Sequence, residues 1–361
     1  MKKKENSKKV GVLSLPYDAN YGWILQHYAL LKILKNNNYE TFSVSRKWDT
    51  IGKRSILYYF KRWVYYNILS KNIYNFYKKH ITPRTEIFDT QESVKNISKY
   101  DFDAIIVGSD QVWRIEHTSG VGNNFFLDFL DSKKTNKISY AASFGIDEWQ
   151  EGKDKTAVVK SLLEDFDYIS VRETSGIGLC KREFDVAVEC RVDPTLLLNK
   201  NQYNELLKQK GNIFKRPTLV TYILDSDKSK DDLVNKLSKL LSLQIYNLYP
   251  KRKSLWNFYI RVEKWLSAFR DCDFVITDSF HGTVFAIIYN KQFITIANKE
   301  RGLARFTSLL KLFNLSSRLV FTSDGNIDID TLISEKIDFN PINLMVIDEQ
   351  IKSIEIFKKY I

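Results

Sequence analysis

The sequence predicts an α/β protein of two lobes, each a parallel β-sheet covered on both faces by helices. Three observations lead there. Short, nearly continuous apolar runs recur along the chain, such as those at 104–107, 168–171 and 274–277, and strands buried on both faces read this way. Amphipathic stretches long enough for helices separate them, which is the rhythm of βαβ units. At 361 residues the chain exceeds one ordinary domain and suits two of roughly 150–200 residues each.

The first series of predicted strands is 10–15, 41–45, 104–107, 137–141, 168–171 and 187–192. The second is 219–223, 244–248, 274–277 and 293–296. Helical patterns between them cover 23–35, 154–166, 230–241 and 256–270, and a last one covers 344–360. The boundary is set by Pro194, which ends a strand, and by the polar stretch before Pro217, with a short helical piece at 202–208 between them. This gives a first lobe at 1–195, a linker at 196–216, a second lobe at 217–340 and a final helix at 341–361. By analogy with two-lobed transferases, that helix is expected to cross back to the first lobe.

The segment 51–85 breaks the alternation. It holds no Asp or Glu, eight Lys and Arg including Lys61, Arg62, Lys78 and Lys79, and an aromatic series that includes Tyr58, Tyr59, Phe60, Trp63, Tyr65 and Tyr66. Leu57, Phe60, Val64 and Ile68 fall at helical spacing, so one or two helices are expected, inserted in the first lobe. The first reading is a helical hairpin packed on that lobe. The other is an interfacial helix that sets its aromatic residues at the headgroup level and its cations toward an anionic membrane surface.

The net charge of +12 points to an anionic partner: nucleic acid, anionic lipid or a phosphorylated substrate. No nucleic-acid-binding motif is present, so a basic nucleic-acid-binding protein is the least favoured class. Cys180, Cys190 and Cys272 form no metal-ligand spacing and are read as reduced thiols of a cytoplasmic protein, and no metal site is expected. No run approaches the ~18 apolar residues of a membrane span. The apolar run at 10–15 is too short for a signal sequence and reads as a strand.

Five constellations carry candidate chemistry. Asn20, Tyr21 and Gly22 follow the first strand and open a helix, where free N–H groups can meet an anion or a hydroxyl. Ser109, Asp110, Gln111 and Trp113 follow an apolar strand end, the usual ligand position of open α/β sheets, and Trp113 could stack on a sugar ring. Arg172 directly follows a strand and can grip a carboxylate or phosphate with both arms. Asp278, Ser279, His281 and Gly282 join a buried strand to an apolar helix. There His281 can donate or accept a proton near neutral pH, and Gly282 is expected to leave its surroundings open. Lys299, Arg301 and Arg305 follow the next strand. Each block alone also reads as an ordinary cap, ion pair or solvated helix face.

Together, in this order, the blocks resemble the polysaccharide pyruvyl transferase family. The resemblance is carried by NYG at 20–22, VGSDQVW at 107–113, YAASFG at 140–145, SVRE at 170–173, DPTLLL at 193–198, TDSFHGTVFA at 277–286 and Arg305-Phe306. It implies two Rossmann-like lobes as in GT-B glycosyltransferases, with the active site in the interlobe cleft. It also implies transfer of the enolpyruvyl group of phosphoenolpyruvate onto two hydroxyls of a lipid-linked or nucleotide-linked sugar, forming a ketal without a cofactor. His281 then matches the family's general acid, supported by Asp278 and Gly282, and Arg172 its donor-binding arginine. Ser279, Lys299 and Arg305 complete the donor side in the second lobe. Asn20, Tyr21, Gly22, Ser109, Asp110, Gln111 and Trp113 form the acceptor side in the first. The family places an arginine two residues before the histidine, where this chain has Ser279. That departure keeps open a GT-B glycosyltransferase using a nucleotide sugar.

Overall fold

A computed structural model describes residues 7–49, 55–131, 134–208, 211–249, 259–298, 302–322 and 327–361. The chain divides into two compact units: 1–56, 77–197 and 348–361 form one, and 57–76 with 198–347 form the other. Most of the basic aromatic segment, expected within the first lobe, thus groups with the second unit. The short helical piece expected between the lobes is present at Lys200–Asn204. Asn199 caps the helix Lys200–Asn204 in a reciprocal pair with Gln202, and buried Tyr203 meets Phe285 ring to ring at 5.0 Å.

The first unit is built on a seven-stranded sheet. Its strands in chain order are β1 (Lys9–Leu13), β2 (Glu40–Arg46), β3 (Arg84–Phe88), β4 (Ala104–Val107), β5 (Asn136–Ala142), β6 (Tyr168–Val171) and β7 (Glu189–Cys190). They lie in the order β3-β2-β1-β4-β5-β6-β7, all parallel. Because the order reverses between β1 and β4, whose Leu13 and Val107 are register partners, the loops after these two strands open on one crevice. Strand β3 has no counterpart among the strands predicted from the sequence. It follows Pro83 at the end of the aromatic segment, and its polar edge carries no apolar run.

Helix α1 (Tyr21–Asn36) follows β1 and is buried along almost its whole circumference, with Trp23, Ile24, Leu25, Leu30 and Leu34 enclosed. It begins two residues earlier than the pattern suggests because Asn20 Oδ1 accepts the N–H groups of Gly22 and Trp23. The last helix, Phe339–Tyr360, enters the first unit from Asp348 onward. There Gln350 Nε2 donates to the Leu196 carbonyl at 2.7 Å, and Ser353 Oγ meets the Tyr140 hydroxyl at 2.8 Å. The rings of Phe357 and Tyr360 pack on Tyr140 and Tyr168, each at 5.0 Å.

The second unit carries β8 (Thr218–Tyr222), β9 (Gln244–Asn247), β10 (Phe274–Thr277), β11 (Gln292–Ile296) and β12 (Leu319–Val320). These form a parallel sheet in the order β12-β11-β10-β8-β9. Here the order reverses between β8 and β10, so the loops after them share the switch point. The two-residue β12 is too short to register in sequence.

The basic aromatic segment forms α2 (Ile56–Val64), a π-helical turn at Tyr65–Leu69 and α3 (Lys71–His80). Helix α3 buries Ile73 and Phe76, whereas α2 buries no residue at all. The hairpin expected to pack on the first lobe is therefore not what forms: α2 is not packed, and the residues that α3 buries group with the second unit. No helix among the described residues is long and apolar enough to cross a membrane.

Candidate active site

In the first unit a set of buried carboxylates gathers beyond the strand ends. Arg172, at the end of β6, is 4% exposed. Its Nη1 donates to Asp193 Oδ2 at 2.8 Å and to Ser109 Oγ at 3.3 Å, and its Nη2 lies 3.8 Å from Asp110 Oδ1. Burial by itself would lower the Arg172 pKa, but the charges of Asp193, Asp110 and Glu173 outweigh it and hold the group above its ordinary value. Asp193 is held in turn by the amide and hydroxyl of Thr195 on Oδ1, at 3.0 and 2.7 Å.

Glu173 is fully buried, and its Oε1 accepts from Ser143 Oγ and from the amides of Phe144 and Gly145. Asp110 has φ of 109°, a region a non-glycine residue adopts only when its surroundings impose it. Its carboxylate is the one member of the set with partial access to solvent, at 19% exposure. Gly145, at φ 70°, makes room for Gln111; a Cβ there would stand 2.3 Å from Gln111 Nε2.

Several sequence expectations change at this point. Trp113 is a core residue, fully buried. Its ring stacks on Phe126, and its Nε1 donates to the Phe125 carbonyl, so it offers no face to a sugar. Ser109 is fully buried within the Arg172 network. Asn20 is exposed but uses its side-chain oxygen as the cap of α1, and Tyr21 is buried. Gly22 supplies one of the capped amides. Gln111 and Asp110 remain half-buried at the crevice. Asp193 and Glu173, which complete the network, stand in the DPTLLL and SVRE stretches but are not among the expected site residues.

In the second unit β10 delivers Asp278 to the switch point. This fully buried carboxylate accepts from the amides of Leu224 and Asp225 at 2.7 and 3.1 Å and from Lys230 Nζ at 2.9 Å. It thereby fixes the loop after β8. Asp225 Oδ2 accepts from Asn298 Nδ2 at 2.7 Å, tying in the end of β11. Lys230, unmarked in the sequence reading, is the cation that balances Asp278.

Ser279 is the N-cap of the helix Phe280–Ile288, its Oγ accepting from the Gly282 amide at 3.4 Å. His281 therefore stands in the first turn of a helix whose residues are all buried, and it is itself 8% exposed. Gly282 does not open space beside it, as the sequence suggested. A Cβ there would lie 2.2 Å from Thr277 Oγ1, so the glycine allows the helix to approach its own strand. Phe280 links the two remaining candidates. Its ring centroid is 5.2 Å from that of His281, and Arg305 Cζ lies 5.6 Å from the same ring. Arg305 sits in the first turn of the helix Leu303–Leu312. Lys299 and Arg301 fall outside the described residues.

The arrangement has two chemical characters. The first unit offers carboxylate and side-chain amide groups suited to hydroxyls. The second offers a helix N-terminus, an imidazole and a guanidinium suited to an anion.

The family model for polysaccharide pyruvyl transferase matches residues 20–300. No curated protein matches the chain. Among solved structures, the chain is similar to UDP-N-acetylglucosamine 2-epimerase from Rickettsia bellii, with 10% identity over 98% of this chain and 97% of that one at a TM-score of 0.51. It is also similar to UDP-GlcNAc 2-epimerase from Methanocaldococcus jannaschii in complex with UDP-GlcNAc and UDP, with 11% identity over 97% and 99% of the two chains at 0.52. At such identity the likeness shows the fold alone, which is of GT-B type.

Proposed function

Because the chain belongs to the polysaccharide pyruvyl transferase family, we propose that it moves the enolpyruvyl group of phosphoenolpyruvate onto two hydroxyls of one sugar. The acceptor is a lipid-linked or nucleotide-linked precursor of a cell-surface polysaccharide, and the reaction takes place in the cytoplasm. The observation that carries the reading is His281 in the first turn of a buried helix, sharing the Phe280 ring with Arg305. An imidazolium there donates a proton to the methylene carbon of the donor, turning it into a methyl group. The adjacent carbon gains oxocarbenium character, and one sugar hydroxyl bonds to it. The imidazole takes back the proton of the first hydroxyl, and the second hydroxyl closes the ketal by displacing phosphate, which carries off the remaining proton. The helix N-terminus and Arg305 hold the donor's negative charge.

Asp110 is the acceptor-side carboxylate with access to solvent, and it accepts a sugar hydroxyl. Arg172 is enclosed among Asp193, Ser109 and Asp110. We assign it to orienting Asp110, where the family pattern alone would set it on the donor. Arg172→Lys keeps the charge but loses the two-armed geometry. It should lower turnover at least tenfold while leaving donor binding near wild type. A large loss of donor affinity instead would return Arg172 to the donor.

The test is phosphate release from phosphoenolpyruvate with a panel of sugar acceptors, read together with product mass. Acceptor-dependent release, lowered about 10²–10⁴-fold in His281→Ala, is expected. Unchanged turnover in that variant would remove His281 from the chemistry. Ser279, standing where the family carries arginine, favours a second reading, a nucleotide-sugar glycosyltransferase. Nucleotide-sugar binding without phosphoenolpyruvate binding would establish it.

A further inference from the structure

Helix α2 is built inside out. Ile56 is 89% exposed, Phe60 60%, Tyr59 59%, Leu57 58% and Trp63 55%. At 100° per residue, Ile56, Tyr59, Phe60 and Trp63 share one face, with Leu57 at its margin. The rings of Phe60 and Trp63 stack along this face, 6.5 Å apart. The opposite face is the polar one and is half-buried. Arg62 lies there between the hydroxyls of Tyr58 and Tyr66, at 2.9 and 2.8 Å, with its guanidinium over both rings. A helix that served only the fold would turn the other way, with its aromatic stripe inward. Five large apolar side chains, each more than half exposed on one short helix, form a patch that needs a partner.

The charges around the patch identify that partner. Lys61 and Lys71 of the same unit are exposed, and the sequence holds no acidic residue anywhere between 51 and 85. A second copy of the chain meeting this face through a two-fold interface would set these lysines against their own counterparts. An anionic bilayer does the reverse. It takes Phe60, Trp63 and Ile56 into the boundary between headgroups and acyl chains and meets the lysines with phosphate. We propose that α2 lies flat on an anionic phospholipid surface and holds the protein there reversibly. This inference stands apart from the pyruvyl transfer and does not depend on it.

Flotation of the full chain with phosphatidylcholine vesicles, with and without phosphatidylglycerol, tests it. Binding should be at least about tenfold stronger on the anionic vesicles, and it should weaken steeply as salt is raised. Phe60→Ser with Trp63→Ser should lower it by about tenfold or more. So should Lys61→Glu with Lys71→Glu. Thermal unfolding should be unchanged in both double variants, because these side chains face solvent. Should a double variant lose its fold, Ile56→Ser, at the most exposed position, gives the same reading alone. Brominated lipid should quench the wild-type tryptophan emission more than that of Trp63→Phe. Absence of binding to anionic vesicles would overturn the proposal, as would binding that survives the Phe60 and Trp63 substitutions. A concentration-dependent dimer abolished by those same substitutions would also overturn it and assign the face to a second copy.

Discussion

His27 lies wholly enclosed in α1, its Nε2 3.0 Å from Ser43 Oγ and its ring stacked on Trp23. Burial pushes its pKa down from 6.5 to about 3. The folded chain therefore keeps this imidazole neutral at a pH where the unfolded chain protonates it. The difference vanishes above pH 6.5 and grows as the pH falls toward 3: only the unfolded chain gains the proton, so the stability of the fold declines on the acid side by about 1.4 kcal/mol per pH unit. Urea unfolding of His27→Gln should show a flatter decline of stability between about pH 7 and 5 than the wild type. Equal slopes would mean that the fold accepts the proton. The three thiols follow the same logic with the opposite sign. Burial first of all pushes Cys180, Cys190 and Cys272 each up to about 12, which leaves them poor nucleophiles at neutral pH. At this scale the sequence made Arg172 visible because it directly follows a recognisable strand, and His281 because it opens the helix after one. Lys230 stayed hidden: a lysine on an amphipathic helix looks solvated until its helix is docked against the strand that carries Asp278.

Among the elements, the junction of β10 with the helix Phe280–Ile288 is the most sharply constrained. Thr277 Oγ1 donates to the Tyr222 carbonyl and accepts from the Ser279 amide, and the same oxygen fills the place where a residue-282 Cβ would stand. Gly282→Ala should destabilise the second unit by about 1–3 kcal/mol through overpacking and should displace His281. Turnover should then fall further than the loss of folded protein explains, a difference read by titrating active sites against thermal unfolding. Full activity in a folded variant would show that the helix start tolerates a shift. The alternation of strands and helices was legible because doubly covered strands are apolar throughout. What escaped were the elements at sheet margins. The edge strand β3 is polar, β12 has two residues, and the strand expected at 187–192 contracts to Glu189–Cys190. The orientation of α2 escaped for another reason. Helical spacing fixes which residues share a face, and only packing decides which face turns inward.

For the molecule as a whole, the organising feature is that the first unit is assembled from three stretches of chain, the last being 348–361. Those residues cover β5 and β6 with Phe357 and Tyr360, and Phe357 is fully buried. Phe357→Ala should therefore destabilise the first unit by about 3–5 kcal/mol, and hydrogen exchange should report it in β5 and β6, far along the chain from the substitution. Exchange confined to the last helix would contradict that coupling. The same feature has a consequence in time. During synthesis Tyr140 and Tyr168 leave the ribosome on the order of ten seconds or more before the segment that covers them. Throughout that interval the nascent sheet carries an open aromatic face, so the first unit, although begun early, reaches its finished form only after the second has been made.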